Sequence, residues 1–251
     1  DYNQAVHGGG HGDYNAIVLA PATVQESVDL TVLAFDLAEK YRSIVIVLTD
    51  GSIGQMMEPC EMPPYQPLKT DFPDWATTGA EGREKRVLTS INLDPPAQED
   101  TNFRMLYRWQ DVEANEVRCK TYFMEDAKFA VVGYGSCGRL ALTAVRAARA
   151  EGIPVGLIRP ITVSPFPKQI IHDTAGKVES MLVVEMSGGQ MLSDVMLAAE
   201  NQCPIEFYGR MGGVVPFPDE VLEEIRRVAK GNLDTQGDPR DRWLSRMKRN
   251  K

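Results

Sequence analysis

The sequence predicts an α/β protein built on parallel sheet, and three observations carry that expectation. Between residues 127 and 231, apolar strand-like runs alternate four times with segments of helical periodicity. Residues 43–48 form a β-branched run without apolar/polar alternation, the pattern of a parallel strand covered on both faces. Glycines cluster just past several of the strand-like runs, where a turn into a helix needs close backbone approach. The chain has 251 residues, enough for one or two domains with a substantial core.

Residues 1–55 read as loop, strand, helix, strand. A short apolar run over 17–20 precedes Thr23 and Glu26, which have capping-box spacing. Val24, Val28, Leu30, Thr31, Ala34, Phe35 and Ala38 then recur at helical intervals to about Tyr41. With 43–48 this makes one βαβ unit. Two strands cannot cover both of their faces, so missing N-terminal residues or a partner chain are expected to complete the domain.

Residues 56–126 change character and read as a Pro-rich arm with a helical linker. Pro59, Pro63, Pro64, Pro67, Pro73, Pro95 and Pro96 are expected to break regular structure. A loop of that length reads as an arm that crosses the surface and packs against a neighbour. Phe103, Leu106 and Tyr107 give a helical segment over about 98–120. The second domain, 127–231, is predicted as doubly wound, with strands over 129–133, 154–158, 180–185 and 205–208. Its helices are predicted over 137–150, 167–175, 189–200 and 219–229. Residues 232–251 are a polar tail, read as solvated or tied to a partner.

Composition excludes several classes of function. The chain is 43% hydrophobic and 25% charged, as folded proteins are. Its 27 basic against 35 acidic side chains give a net charge of -8, which disfavours nucleic acid and anionic membranes. No apolar run approaches the length of a membrane span. Cys60, Cys119, Cys137 and Cys203 contain no CxxC pair, which argues against a zinc site or an iron–sulfur cluster held within this chain. Three histidines leave little material for a metal site, so no metal ligand is assigned. Without a secretory signal a reducing cytoplasm is expected. The chain opens on Asp1 and runs directly into a glycine-rich loop, so it reads as the later part of something longer.

Two glycine motifs compete for a ligand. Gly133, Gly135 and Gly138 follow a predicted strand and open a helix, the context of a dinucleotide fingerprint. The acid that an NAD site needs is missing; Arg159 stands near the end of the next strand instead, which leaves an NADP reading open beside simple helix–sheet packing. Gly8, Gly9, Gly10 and Gly12 surround His11 and precede Asp13, a loop whose backbone can approach a ligand closely while the histidine titrates near neutrality. A flexible linker is the alternative there. Asp50, the glycines after Ser187 and those between Gly209 and Gly213 also lie past strand ends. Glu58 and Glu61 flank Cys60 in a proline-rich stretch that reads as solvated loop.

Together these residues resemble a known family. The run from Gly8 to Tyr14, the helix from Val24 to Tyr41, the turn after Val132, Arg159 with Pro160 and Thr162, the run from Val184 to Met191 and that from Gly209 to Pro216 follow in the order found in the 2-oxoacid:ferredoxin oxidoreductase α subunit. The resemblance covers essentially residues 1–231 and is nearest to the branched-chain (3-methyl-2-oxobutanoate, or 2-ketoisovalerate) enzyme, with the 2-oxoglutarate enzyme as the near alternative.

The resemblance implies a partial thiamine pyrimidine-binding domain over 1–55, followed by a transketolase C-terminal-like, doubly wound parallel-sheet domain. It implies an enzyme that oxidatively decarboxylates a 2-oxoacid with thiamine diphosphate and Mg²⁺, passes the acyl group to coenzyme A and sends electrons to an external ferredoxin. The diphosphate and Mg²⁺ would be held by a β subunit and the [4Fe–4S] clusters by partner subunits, with a γ and a ferredoxin-like δ subunit in the complex. The glutamate that activates the aminopyrimidine is expected outside this chain, so no catalytic residue is assigned here. Gly10, His11 and Asp13 are the expected substrate-proximal residues. Where many relatives carry an arginine before the His–Gly pair, this chain has Gly10, so carboxylate binding would fall to His11, backbone amides or residues outside the chain. The resemblance gives the Gly133 turn a packing role. An NADP-binding reductase domain and a non-catalytic assembly subunit are the alternatives from other classes.

Overall fold

The computed structural model describes residues 1–10, 12–65, 67, 71–89, 91–231, 233 and 235–248. A short helix α1 (Tyr2–Val6) precedes β1 (Ile17–Leu19), α2 (Val24–Tyr41), β2 (Val45–Val47) and α3 (Gly51–Gln55). After the arm come α4 (Pro95–Asn115) and β3 (Cys119–Tyr122). Then follow β4 (Phe129–Val132), α5 (Gly135–Ala150), β5 (Val155–Pro160), β6 (Thr162–Ser164), α6 (Lys168–Ala175), β7 (Ser180–Glu185), α7 (Gln190–Ala199), β8 (Ile205–Gly209), α8 (Pro218–Ala229) and α9 (Pro239–Lys248).

The strands form two sheets. The larger is ordered β3-β5-β4-β7-β8, parallel except for β3, which runs antiparallel to β5. The smaller is β2-β1-β6, with β1 parallel to β2 and antiparallel to β6. The third strand therefore comes from this chain itself. After Ile161 the backbone leaves the end of β5 and pairs with β1, where Ser164 donates to the Ala16 carbonyl at 2.8 Å. Both faces of β1 are buried. Ile17 and Leu19 pack with Leu30, Ala34 and Leu37 of α2 and Val112 of α4. Val18 points the other way, into the core shared with β4, β7 and α5.

Local chemistry explains the element boundaries. The Thr23 hydroxyl accepts from the Glu26 amide at 3.0 Å and starts α2, while Arg42 ends it in the left-handed conformation at φ 44°. Pro95 and Pro96, expected to break structure, instead open α4, because the first turn of a helix needs no N–H donors from them. The Asp94 carboxylate accepts from the Ala97 amide to cap the same turn. Among the described residues, those between α3 and α4 form no helix or strand, as the prolines predict. The helical linker ends sooner than expected, and residues 119–122 join the sheet edge as β3.

The polar tail folds differently from its expectation as a solvated terminus. Its helix α9 packs on β8, with Trp243 only 4% exposed and set edge-on to Phe207 at 5.1 Å. Arg242 and Arg246 both reach the Glu206 carboxylate, which is itself 1% exposed and also takes Arg227. A buried carboxylate on β8 thus demands the cations that a polar sequence supplies.

Candidate functional site

A doubly wound sheet offers a ligand crevice at its carboxyl edge, where the connections from neighbouring strands turn to opposite sides. Here that position lies between β4 and β7, and the chain fills it with its own side chains. Tyr2 of α1, 1% exposed, packs on Tyr134 with ring centroids 5.5 Å apart. Its hydroxyl donates to Asp194 of α7 at 2.6 Å, and burial together with that carboxylate pushes the phenol far above its ordinary value.

The helix N-termini along this edge are also taken. The Asp50 carboxylate accepts from the Ser136 amide at the start of α5, at 3.1 Å, while its other oxygen caps α3. Glu185, fully buried, accepts from the amides of Met191 and Leu192 at the start of α7 and from the Ser187 hydroxyl; burial pushes its carboxyl up. Glu220 accepts from the Phe217 amide at the start of α8 and pairs with Arg210. A diphosphate placed at any of these termini would meet a carboxylate already in place, so the starts of α5, α7 and α8 do not fit the diphosphate of a nucleotide or of thiamine.

Arg159, the residue considered for a 2′-phosphate, is committed as well. It is 3% exposed and donates both terminal nitrogens to Glu26 of α2, at 2.9 and 2.6 Å. Gly138 owes its place to packing: a Cβ there would stand 2.6 Å from the Gly133 carbonyl oxygen and 2.7 Å from Arg159 Cγ. The turn from Gly133 to Gly138 is a helix–sheet contact, which removes the structural basis of the NADP reading. Glu58 is equally occupied, by Arg139 at 2.5 Å and the Val24 amide, while the Glu61 backbone amide donates to Gln25. Among the described residues no group of three or more His, Cys, Asp and Glu could hold a metal ion. Burial pushes the Cys119 and Cys203 thiols up to about 11, away from the thiolate form that binds metals or attacks carbon.

The glycine loop is the remaining candidate. Gly8 and Gly12 adopt φ of 95° and 91°, a conformation that side chains resist. The loop is pinned where it begins and where it ends. His7 Nε2 lies 3.1 Å from the same Asp194 oxygen that Tyr2 uses, and the Gly9 amide donates to the Tyr14 hydroxyl at 2.8 Å. Asp13 accepts from Asn102 of α4 at 3.0 Å. Gly10 is exposed beside the Tyr14 ring; His11 lies outside the described residues. Between Asp13 and α4 an open groove of about 460 Å³ is lined by Gln98, Asn102, Phe103 and Leu106. Sequence reasoning missed Tyr2, Asp194 and Asn102; the signal for Tyr2, an aromatic residue just ahead of a glycine run, was too short to read as an anchor.

Comparisons with known proteins agree with this architecture. A family model described as pyruvate flavodoxin/ferredoxin oxidoreductase, thiamine diphosphate-binding, matches residues 1–119. The pyruvate:ferredoxin oxidoreductase core domain II model matches residues 127–230. Ketoisovalerate oxidoreductase subunit VorB of Methanothermobacter thermautotrophicus is 45% identical over 234 residues, which are 93% of this chain and 66% of that protein. 2-Oxoglutarate synthase subunit KorA of Methanothermobacter marburgensis is 33% identical over 243 residues, 86% of this chain and 65% of that protein. The solved 2-oxoglutarate:ferredoxin oxidoreductase from Magnetococcus marinus shares the fold, with a TM-score of 0.71 at 22% identity over 90% of this chain and 44% of that one. The chain thus spans about two thirds of the length of its curated relatives. With two consecutive family models over nearly its whole length and a curated relative at 45% identity, the chain belongs to the 2-oxoacid:ferredoxin oxidoreductase family.

Proposed function

We propose that the chain is a catalytic-core subunit of a thiamine diphosphate-dependent 2-oxoacid:ferredoxin oxidoreductase acting on a branched-chain 2-oxoacid such as 3-methyl-2-oxobutanoate. The observation that carries this reading is the 45% identity to a ketoisovalerate oxidoreductase subunit over 93% of the chain, against 33% to a 2-oxoglutarate synthase subunit. A 2-oxoglutarate substrate is the second reading, favoured by the Magnetococcus marinus structure, which holds 2-oxoglutarate, coenzyme A and succinyl-CoA.

Thiamine diphosphate, where bound, supplies the carbon nucleophile and the electron sink for decarboxylation. Three helix N-termini of this chain are filled by Asp50, Glu185 and Glu220, so the reading gives the diphosphate and Mg²⁺ to a β subunit. The [4Fe–4S] clusters and the exit of electrons to ferredoxin fall to partner subunits, with γ and ferredoxin-like δ chains in the assembly. This chain's own contribution is the loop of Gly10, His11 and Asp13, which lies near the substrate, orients it and limits water. The doubly wound domain keeps that loop in position through Asp194. Among the described residues no helix is long and apolar enough to cross a membrane, and the reading places the complex in the cytoplasm.

The test uses the native assembly purified through a tag on this chain. Viologen reduction is followed with thiamine diphosphate and coenzyme A while 3-methyl-2-oxobutanoate, 2-oxoglutarate, pyruvate and indolepyruvate are supplied in turn. Coenzyme-A-dependent reduction, fastest with 3-methyl-2-oxobutanoate, is the expected result. Silence with all four from an intact complex containing thiamine and iron overturns the reading.

A further inference from the structure

A pocket of about 160 Å³ lies at the amino edge of β1 and β2, beside α4 and just past the glycine loop. Ile44, Met105, Trp109 and Val112 give it an apolar wall, Tyr14, Asn15 and Ser43 add neutral polar groups, and Arg42 and Arg108 bring two guanidinium cations. Arg108 donates to the Arg42 carbonyl at 2.8 Å, and Arg42 stands over the Trp75 ring at 5.3 Å. Arg104, one helical turn before Arg108, donates to the Thr101 hydroxyl at 2.7 Å.

Among the described residues no carboxylate pairs with any of these three arginines. Arg42 and Arg104 are exposed and Arg108 is half-buried, in contrast to Arg159, Arg227 and Arg242, which are matched by Glu26 and Glu206. Burial, and then the like charges of Arg42 and Arg104, push the Arg108 guanidinium below its ordinary value. Like charges gathered around a cavity without a counter-ion are relieved by an anion that enters it. Two guanidinium forks beside hydroxyl and amide groups suit a tetrahedral oxyanion, which takes hydrogen bonds from several directions at once.

We propose that this pocket is a phosphate-binding site in which Arg42 and Arg108 hold the oxygens and Arg104 adds to the attracting field. Two sources share that chemistry: a phosphate group of the coenzyme A co-substrate, and free inorganic phosphate. The first source rests on the oxidoreductase reading above; the phosphate chemistry itself does not.

The experiment uses the intact complex and two single variants, Arg42→Gln and Arg108→Gln, so that a folding defect in one leaves the other informative. Inorganic phosphate at about 10 mM is compared with chloride at equal ionic strength, and melting of the complex is followed. Phosphate raises the wild-type Tm by about 2 °C or more, and the variants lose this increment. In turnover assays the variants raise the KM for coenzyme A about tenfold, while the KM for dephospho-coenzyme A and for the 2-oxoacid hold. Loss of the phosphate increment with an unchanged coenzyme A KM identifies free phosphate as the ligand. A Tm that responds equally to phosphate and chloride, or variants that keep the phosphate increment, overturn the proposal. Absence of 2-oxoacid turnover in wild type would sink the oxidoreductase reading and leave the melting comparison to decide the site.

Discussion

Glu26 serves a local and a distant purpose with one carboxylate. Its amide binds the Thr23 hydroxyl as in a capping box, but its carboxylate accepts from the Ala22 amide and turns outward to Arg159 and Lys120. Burial pushes that carboxyl up, yet the hydrogen bonds of Arg159, Lys120 and Ala22 prevail and hold it at about 2 against an ordinary 4.5. Glu116 is held at about 2 by the same contest, with Lys40, Tyr41 and Arg118 as its donors. The stabilisation from both groups is therefore complete above about pH 4.5 and is lost as pH falls towards 2. Glu26→Gln leaves Arg159 buried without its partner and is expected to cost about 3–5 kcal/mol in denaturant unfolding. It should also flatten the dependence of stability on pH across that acid range; an unchanged slope would show that the pairing contributes nothing. Gly138→Ala places a methyl group against the Gly133 carbonyl and Arg159, and about 1–3 kcal/mol of destabilisation is expected from the unfolding midpoint.

At the scale of elements, α1 and α9 are short pieces that gain their stability from docking rather than from helix propensity. Helix α1 is five residues long and rests on one buried ring and the hydrogen bond from Tyr2 to Asp194. Tyr2→Phe keeps the ring and removes the hydroxyl. It should cost about 1–2 kcal/mol and raise hydrogen exchange at the Gly9 amide, since the loop's anchor loosens. Unaltered exchange there would show that the loop does not depend on α1. Helix α9 hangs on Trp243, so Trp243→Ala should cost about 3–5 kcal/mol by chemical denaturation. Trp243→Phe should cost less, because it keeps an aromatic ring and removes an indole N–H that has no hydrogen-bond partner among the described residues.

The molecule as a whole is interlocked between its two sheets. Strand β6 crosses from the larger sheet into the smaller, and Glu26, Asp50 and Glu58 reach across to Arg159, to the start of α5 and to Arg139. Unfolding should therefore be one cooperative event. Tryptophan fluorescence, which samples Trp75 and Trp109 near one sheet and Trp243 on the other, should change together with far-ultraviolet circular dichroism. Two separated transitions would show that the sheets open independently.

The sequence by itself determined the alternating strands and helices of 129–229, the cap at Thr23, the span of α2 and the proline-rich character of the arm. Those features follow from periodicity and turn chemistry within a few residues of each other. The glycine loop was legible as a candidate site for the same reason, though what pins it was not. Only the tertiary structure decided that the βαβ unit takes its third strand from the stretch after Ile161, and that Arg159 belongs to Glu26 rather than to a ligand. It also placed Tyr2 in the crevice between β4 and β7 and folded the polar tail onto Glu206. These outcomes depend on pairs such as Glu26 and Arg159, 133 residues apart. Each polar group's partner there is set by which chains the sheets bring together, and no local pattern records that choice.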